Sequence, residues 1–142
     1  MESDMSNIGP LAIKLAKILG KIGTIQKTGR NAYAKYDYYT EGDFFNTIRP
    51  LLAEASVFMF FSVVNSTRDE EITLVTVECT FVDGDTGVHF TVRGQGQSTD
   101  KQGKGVYSAT TGAMKYILQK NFLLAEQDDE PHQQQQQQGR HR

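Results

Sequence analysis

An α+β fold is predicted for this chain: a three-stranded antiparallel meander followed by a helix (a β-β-β-α core), preceded by two helices and a short basic hairpin. Three observations predict it. Between Val57 and Gly94, apolar residues run continuously or alternate in three segments separated by turn sequences. On either side of that block, apolar residues instead recur at spacings of three and four. The 142 residues, 38% of them hydrophobic, supply one ordinary domain with a single core. The expected organisation is an N-terminal tail over 1–9, a folded domain over 10–125, and an acidic, glutamine-rich tail over 126–142 too polar to bury apolar surface.

Gly9 and Pro10 suit the cap and first turn of a helix, because proline is preset for that turn and has no amide hydrogen to leave unpaired. Leu11, Leu15, Ile18 and Ile22 then share one face, with Lys14, Lys17 and Lys21 on another, and a glycine between Gly20 and Gly23 is expected to close the helix. The stretch from Thr24 to Thr40 interleaves Arg30 and Lys35 with Tyr33, Tyr36 and Tyr38 and reads as a short hairpin, with Gly29 in a turn. Thr40 and Asp43 have the spacing of a capping box, and Phe44, Ile48, Leu51 and Ala55 follow on one helical face. Pro50 is expected to kink that helix or divide it into two turns.

Val57 to Val64 is almost continuously apolar and predicts a strand buried on both faces. Ile72 to Val82 sets Val75, Val77, Cys79 and Phe81 on one side; Asp83 to Gly87 reads as a tight turn, and Val88 to Gly94 alternates again. From Gly105 to about Asn121 the helical period returns, with Val106, Thr110, Ala113 and Ile117 as its packing face.

Known chemical motifs are incomplete. Gly94 and Gly96 begin a dinucleotide loop, but Thr99 stands where its third glycine belongs. Gly103-Lys104 fails as a nucleotide-binding loop, because Ser98 and Gly105 occupy the positions of the first glycine and the metal-binding hydroxyl. Asp83 and Asp85 open like a calcium loop, yet Gly94 replaces the closing glutamate. The histidines are too scattered for a zinc site, and Cys79, the single cysteine, suits core packing. No cofactor, no metal and no enzyme chemistry are expected. No run of 18 apolar residues and no cleavable leader pattern is visible, which predicts a soluble, intracellular protein without a membrane partner.

The formal charge of −2 conceals a basic body. Setting aside Glu2, Asp4, Glu126, Asp128, Asp129, Glu130, Arg140 and Arg142 leaves 13 basic against 11 acidic residues. Lys101, Lys104, Lys115 and Lys120 fall in a stretch from Lys101 to Phe122 without any acidic residue. A flexible glycine-rich connection, the amides of a helix starting at Gly105, and Arg93 on the adjoining strand can together face a polyanion. Arg30, Lys35, Tyr36 and Tyr38 add charges for a phosphate backbone and rings for bases. An ordinary solvated helix face accounts for the same lysines, and a half-buried sheet edge for the same tyrosines.

Tyr33-Ala34-Lys35-Tyr36-Asp37-Tyr38, then Arg49-Pro50-Leu51-Leu52-Ala53-Glu54, then a meander, then the segment GKGVYSATTGAMKYILQKNFLL from Gly103 to Leu124 and Asp128-Asp129 carry a resemblance. In that order the chain, over roughly residues 10 to 130, is similar to the Erf (essential recombination function) family of phage single-strand DNA annealing proteins. The resemblance implies ATP-independent binding of single-stranded DNA and pairing of complementary strands in homologous recombination. It further implies a core similar to the annealing-protein superfamily and a homo-oligomer in the form of a ring or helical filament. Action in the cytoplasm of a bacterial host would follow, with a single-strand binding protein or host recombination factor as partner. DNA would lie between the hairpin carrying Lys35 and the helix carrying Lys104 and Lys115. Many relatives have arginine-tyrosine where this chain has Lys115-Tyr116, and lysine keeps the charge while lacking the bidentate fork. Two other readings stay open: a DNA or RNA coating and loading protein that does not anneal, and a self-assembling structural protein.

Overall fold

The computed structural model describes residues 7–100 and 103–124; the expected tail over 126–142, the first six residues and Lys101 lie outside the described residues. The architecture is α+β. In chain order come α1 (Gly9–Lys21), β1 (Gly29–Asn31), β2 (Tyr36–Tyr38), α2 (Glu41–Ala55), β3 (Val57–Asp69), β4 (Ile72–Asp83), β5 (His89–Thr99) and α3 (Gly105–Asn121). Strands β3, β4 and β5 form an antiparallel sheet in sequence order, and β1 and β2 form a separate antiparallel hairpin.

The core lies between one face of the sheet and the three helices. Val75, Val77, Cys79 and Phe81, alternate residues of the central strand, are buried there with Leu11, Ile18, Phe44, Ile48, Ala109, Ala113 and Ile117. The Phe81 ring stacks on Phe90 at 5.1 Å and meets Phe122 edge-on at 6.1 Å. Burial pushes the Cys79 thiol up to about 12, so it stays protonated and unreactive at neutral pH.

Local signals in the helices are met unevenly. The capping box at the start of α2 is present: Thr40 N–H donates to Asp43 Oδ2 at 2.8 Å, and Asp43 N–H to Thr40 Oγ1 at 3.2 Å. Pro50 does not divide α2, which is assigned as one helix through it; the ring sits at an exposed position, so it displaces no core neighbour. Helix α1 does not end on a glycine. It stops at Lys21, and Ile22 leaves in an extended conformation while its amide still reaches Ile18 O.

Two strand expectations are corrected. β3 is not buried on both faces: only Val57 is buried, and Phe58 is 63% exposed. Its apolar composition suits a doubly covered strand, but among the described strands β3 pairs only with β4, which makes it an edge. β5 does not end at Gly94. It continues to Thr99, and Gly94 and Gly96 sit inside it, paired with Val77 and Val75. The reason is α3. A Cβ on Gly94 would come within 2.6 Å of Ile117 Cγ1, and one on Gly96 would run into the backbone oxygen of Ala109. The two glycines let the small-residue face of α3 lie directly on the strand, a contact also marked by Ala109 and Ala113 at zero exposure. The packing face of α3 is accordingly Gly105, Ala109, Ala113 and Ile117, with Ala109 in the place expected for Thr110.

The turn after β4 is held by charge. Lys14 Nζ of α1 donates to Asp83 Oδ1 at 2.8 Å and also to Asp85 Oδ2, and Asp83 further accepts from Asp85 N–H and Thr86 Oγ1. The Lys14 bond, followed by the Asp85 amide, holds the Asp83 carboxyl below the usual carboxylate range. Asp43 is lowered too: burial raises it, but bonds from Thr28 and Thr40 outweigh that. Groups depressed on folding stabilise above the unfolded value, near pH 4, and lose that contribution as pH falls through the folded value. Thermal melts should therefore hold steady down to about pH 5 and drop below about pH 4. Asp83→Asn should flatten part of the drop; a melting temperature unchanged down to pH 2.5 would contradict this.

Candidate nucleic-acid interface

The hairpin owes its shape to Asn31. Its backbone oxygen accepts Lys35 N–H at 2.7 Å and its side-chain oxygen accepts Ala34 N–H at 2.9 Å, closing a turn in which Lys35 is left-handed at φ 61°. Tyr33 at the tip is 98% exposed. Gly29 is a strand residue, not a turn residue, paired with Tyr38; a Cβ there would lie 2.5 Å from the Tyr38 ring. Tyr36 and Tyr38 are half-buried, meet edge-on at 6.2 Å, and Tyr36 Oη accepts from Asn31 Nδ2. These two rings build the hairpin, as the sheet-edge reading allows.

Helix α3 holds the hairpin against the body. Lys115 Nζ donates to the backbone oxygen of Tyr39 at 2.9 Å and lies 5.8 Å from the Tyr38 ring centroid. Thr111 Oγ1, one turn earlier, donates to Glu41 Oε1 at 2.9 Å. Lys115 is therefore a strut between helix and hairpin, its ammonium half-buried in that junction. Lys27, which the sequence did not single out, adds a second ammonium 5.3 Å from the Tyr39 ring.

The remaining expected contacts separate. Arg30 pairs with Asp37 across the hairpin at 3.0 Å. Arg93 pairs with its register partner Glu78 at 2.7 Å and points away from α3, because Gly94 and Gly96 occupy the α3 side of β5. Arg93 thus lies on the sheet face opposite α3 and meets the α3 residues only at the rim of β5. Nor is the start of α3 a bare anion receptor: Lys104 N–H already donates to Asp100 Oδ2 at 2.6 Å, and Gly105 is buried against Thr73. The side chains of Lys35, Lys104 and Lys120 remain exposed.

Tyr116, the second residue of the Lys115-Tyr116 pair, adds a ring that composition alone did not mark as a contact. Half exposed on α3, it carries Lys120 Nζ 5.6 Å from its ring centroid and borders an open concavity with Thr76, Arg93, Gly94 and Gln95. The i, i+4 spacing of Tyr116 and Lys120 was the available signal. Among the described residues no three His, Cys, Asp or Glu side chains gather where they could hold a metal ion. No helix among them is long and apolar enough to cross a membrane.

The arrangement offers ammonium groups and tyrosine rings on exposed elements, with the hairpin fixed at its base. Compared with known families, the chain matches the family model described as the ERF superfamily over residues 11–142. No curated protein matches it.

Proposed function

The chain belongs to the ERF superfamily, and on that premise we propose that it binds single-stranded DNA and pairs complementary strands in phage-type homologous recombination, without ATP and without bond chemistry of its own. The observation that carries the reading is the family match over residues 11–142, which spans the hairpin, the meander and α3 together. Lysines would hold the sugar-phosphate backbone and leave base edges free for a second strand to test. Backbone contacts carry no sequence information, so binding is sequence-independent.

The cations divide by role in this account. Lys35, Lys104 and Lys120 meet phosphate, whereas Lys115 sets the hairpin at the angle that makes a groove. Affinity for an oligonucleotide should fall with salt at a log-log slope of about −0.7 per phosphate neutralised, or roughly −2 if these three lysines each engage one. Affinity that stays flat from low to high salt removes the backbone-holding role.

Assembly into a homo-oligomer is part of the proposal. Among the described residues the outer edge of β3 has no pairing strand, and β3 presents Phe58, Val63 and Val64 to solvent, which suits a contact with a second copy. Sedimentation of the full chain checks it, and a strictly monomeric species across micromolar concentrations would rule it out. The proposed setting is the cytoplasm of a bacterial host, with a single-strand binding protein or host recombination factor as partner.

A further inference from the structure

Resting on the single-strand reading above, we propose that the open concavity at the free rim of β5 is a one-nucleotide subsite, in which a base stacks on Tyr116 while the adjoining phosphates meet Lys120 and Arg93. The concavity measures about 620 Å³ and is lined by Thr76, Arg93, Gly94, Gln95 and Tyr116. Among the described residues β5 pairs only with β4, so none of them adds a strand at this rim.

Each lining group has a chemistry that suits a nucleotide. Tyr116 is 53% exposed, with the Lys120 ammonium beside its ring. An aromatic ring left in water beside a cation is a stacking platform with a phosphate ligand next to it. Arg93 Nε and Nη2 both donate to Glu78 Oε1, at 2.8 and 2.7 Å, while the side chain stays 69% exposed. Glu78 therefore holds the guanidinium in one place and leaves its remaining N–H groups to donate outward. Because Glu78 also offsets the arginine charge, Lys120 supplies the net attraction and Arg93 supplies directed hydrogen bonds. Gln95 Nε2 donates to Thr76 Oγ1 at 3.3 Å, which leaves Gln95 Oε1 as the acceptor for a base N–H.

The site also explains a division seen above. Arg93 and Gln95 lie on the sheet face away from α3, whereas Tyr116 and Lys120 lie on α3 itself; only the rim of β5 brings the two sets together. A strand bound here crosses that rim.

The test compares an oligo(dT) with an abasic deoxyribose-phosphate oligomer of equal length, which has the phosphates and no bases, on the full chain and on Tyr116→Ala, Tyr116→Leu and Tyr116→Phe. The parent should prefer oligo(dT). Alanine and leucine should lose about tenfold in oligo(dT) affinity with abasic affinity unchanged, and phenylalanine should restore it. Leucine keeps the apolar bulk without the ring face, so it separates stacking from simple packing if alanine perturbs the fold. With six tyrosines and no tryptophan in the chain, tyrosine emission gives a second readout, quenched by oligo(dT) and less so in Tyr116→Phe. The subsite is overturned if alanine and leucine keep the preference, if they weaken both oligomers alike, or if the parent binds both equally. A parent that binds neither oligomer overturns the single-strand reading itself, and the subsite with it.

Discussion

Gly96→Val is expected to keep the chain from reaching its folded state, and Gly96→Ala to cost about 3 kcal/mol, the upper end for overpacking. Gly96 lies in the middle of the β4–β5 pairing, and a Cβ there would overlap the backbone oxygen of Ala109 and stand 2.8 Å from the Ala113 amide. Those are helix backbone atoms, which cannot rotate aside as a side chain can, so α3 would have to lift from the sheet. Lifting it would expose Ala109, Ala113, Ile117 and Leu118 together. Gly112→Ala is the control. It is one helical position from Ala113, has nothing within 4 Å of its added Cβ, and should stabilise by about 0.5–1 kcal/mol through helix propensity. Thermal melts of the two alanine variants check the contrast, and a Gly96→Ala protein that melts with the parent would contradict the close packing of α3 on β5.

That pair of glycines also shows where the sequence stops being legible. Gly94 and Gly96 are legible as glycines, and glycine marks any close approach to backbone, a phosphate cradle being only one such approach. What approaches is α3, a segment of the same chain whose small residues Ala109 and Ala113 were visible too. Nothing local says that two small-residue surfaces 13 residues apart face each other. The capping box of Thr40 and Asp43 was legible because both halves lie within one turn. The exposure of β3 was not, since its composition is that of a core strand and only the strand order makes it an edge.

The candidate site was legible in composition and not in geometry. The lysines and tyrosines are legible, but their partners are carboxylates, carbonyls and rings distant in sequence. Glu78 claims Arg93 by cross-strand register, Asp37 claims Arg30 in the same way, and the carbonyl of Tyr39 claims Lys115. Tyr33 remains the most exposed ring of the hairpin, whereas Tyr36 and Tyr38 are committed to one another.

Lys115→Met should cause the largest functional loss among single lysine changes. Methionine keeps the apolar stem and removes the ammonium, which deletes a charged hydrogen bond to Tyr39 O and the contact with the Tyr38 ring. A charged hydrogen bond of this kind contributes about 1.5–3 kcal/mol, and the ring contact up to about 1 kcal/mol more. The body should stay folded, because the core of β4 and α3 is untouched, while the hairpin loses its fixed angle. Single-strand affinity should then drop by at least about tenfold, equivalent to about 1.4 kcal/mol. Lys35→Met, which removes one exposed charge and no internal contact, should cost less. Equal affinities for the Lys115→Met and Lys35→Met proteins would show that Lys115 is one phosphate ligand among several and not a strut.

The most direct measurement mixes two complementary labelled oligonucleotides with the full chain in the absence of any nucleotide triphosphate and follows duplex formation over time. Strand annealing predicts pairing faster than for the naked strands, with acceleration that weakens in high salt and falls sharply in Lys115→Met. Protection of each strand without pairing, or acceleration that appears only when ATP is added, would contradict the account.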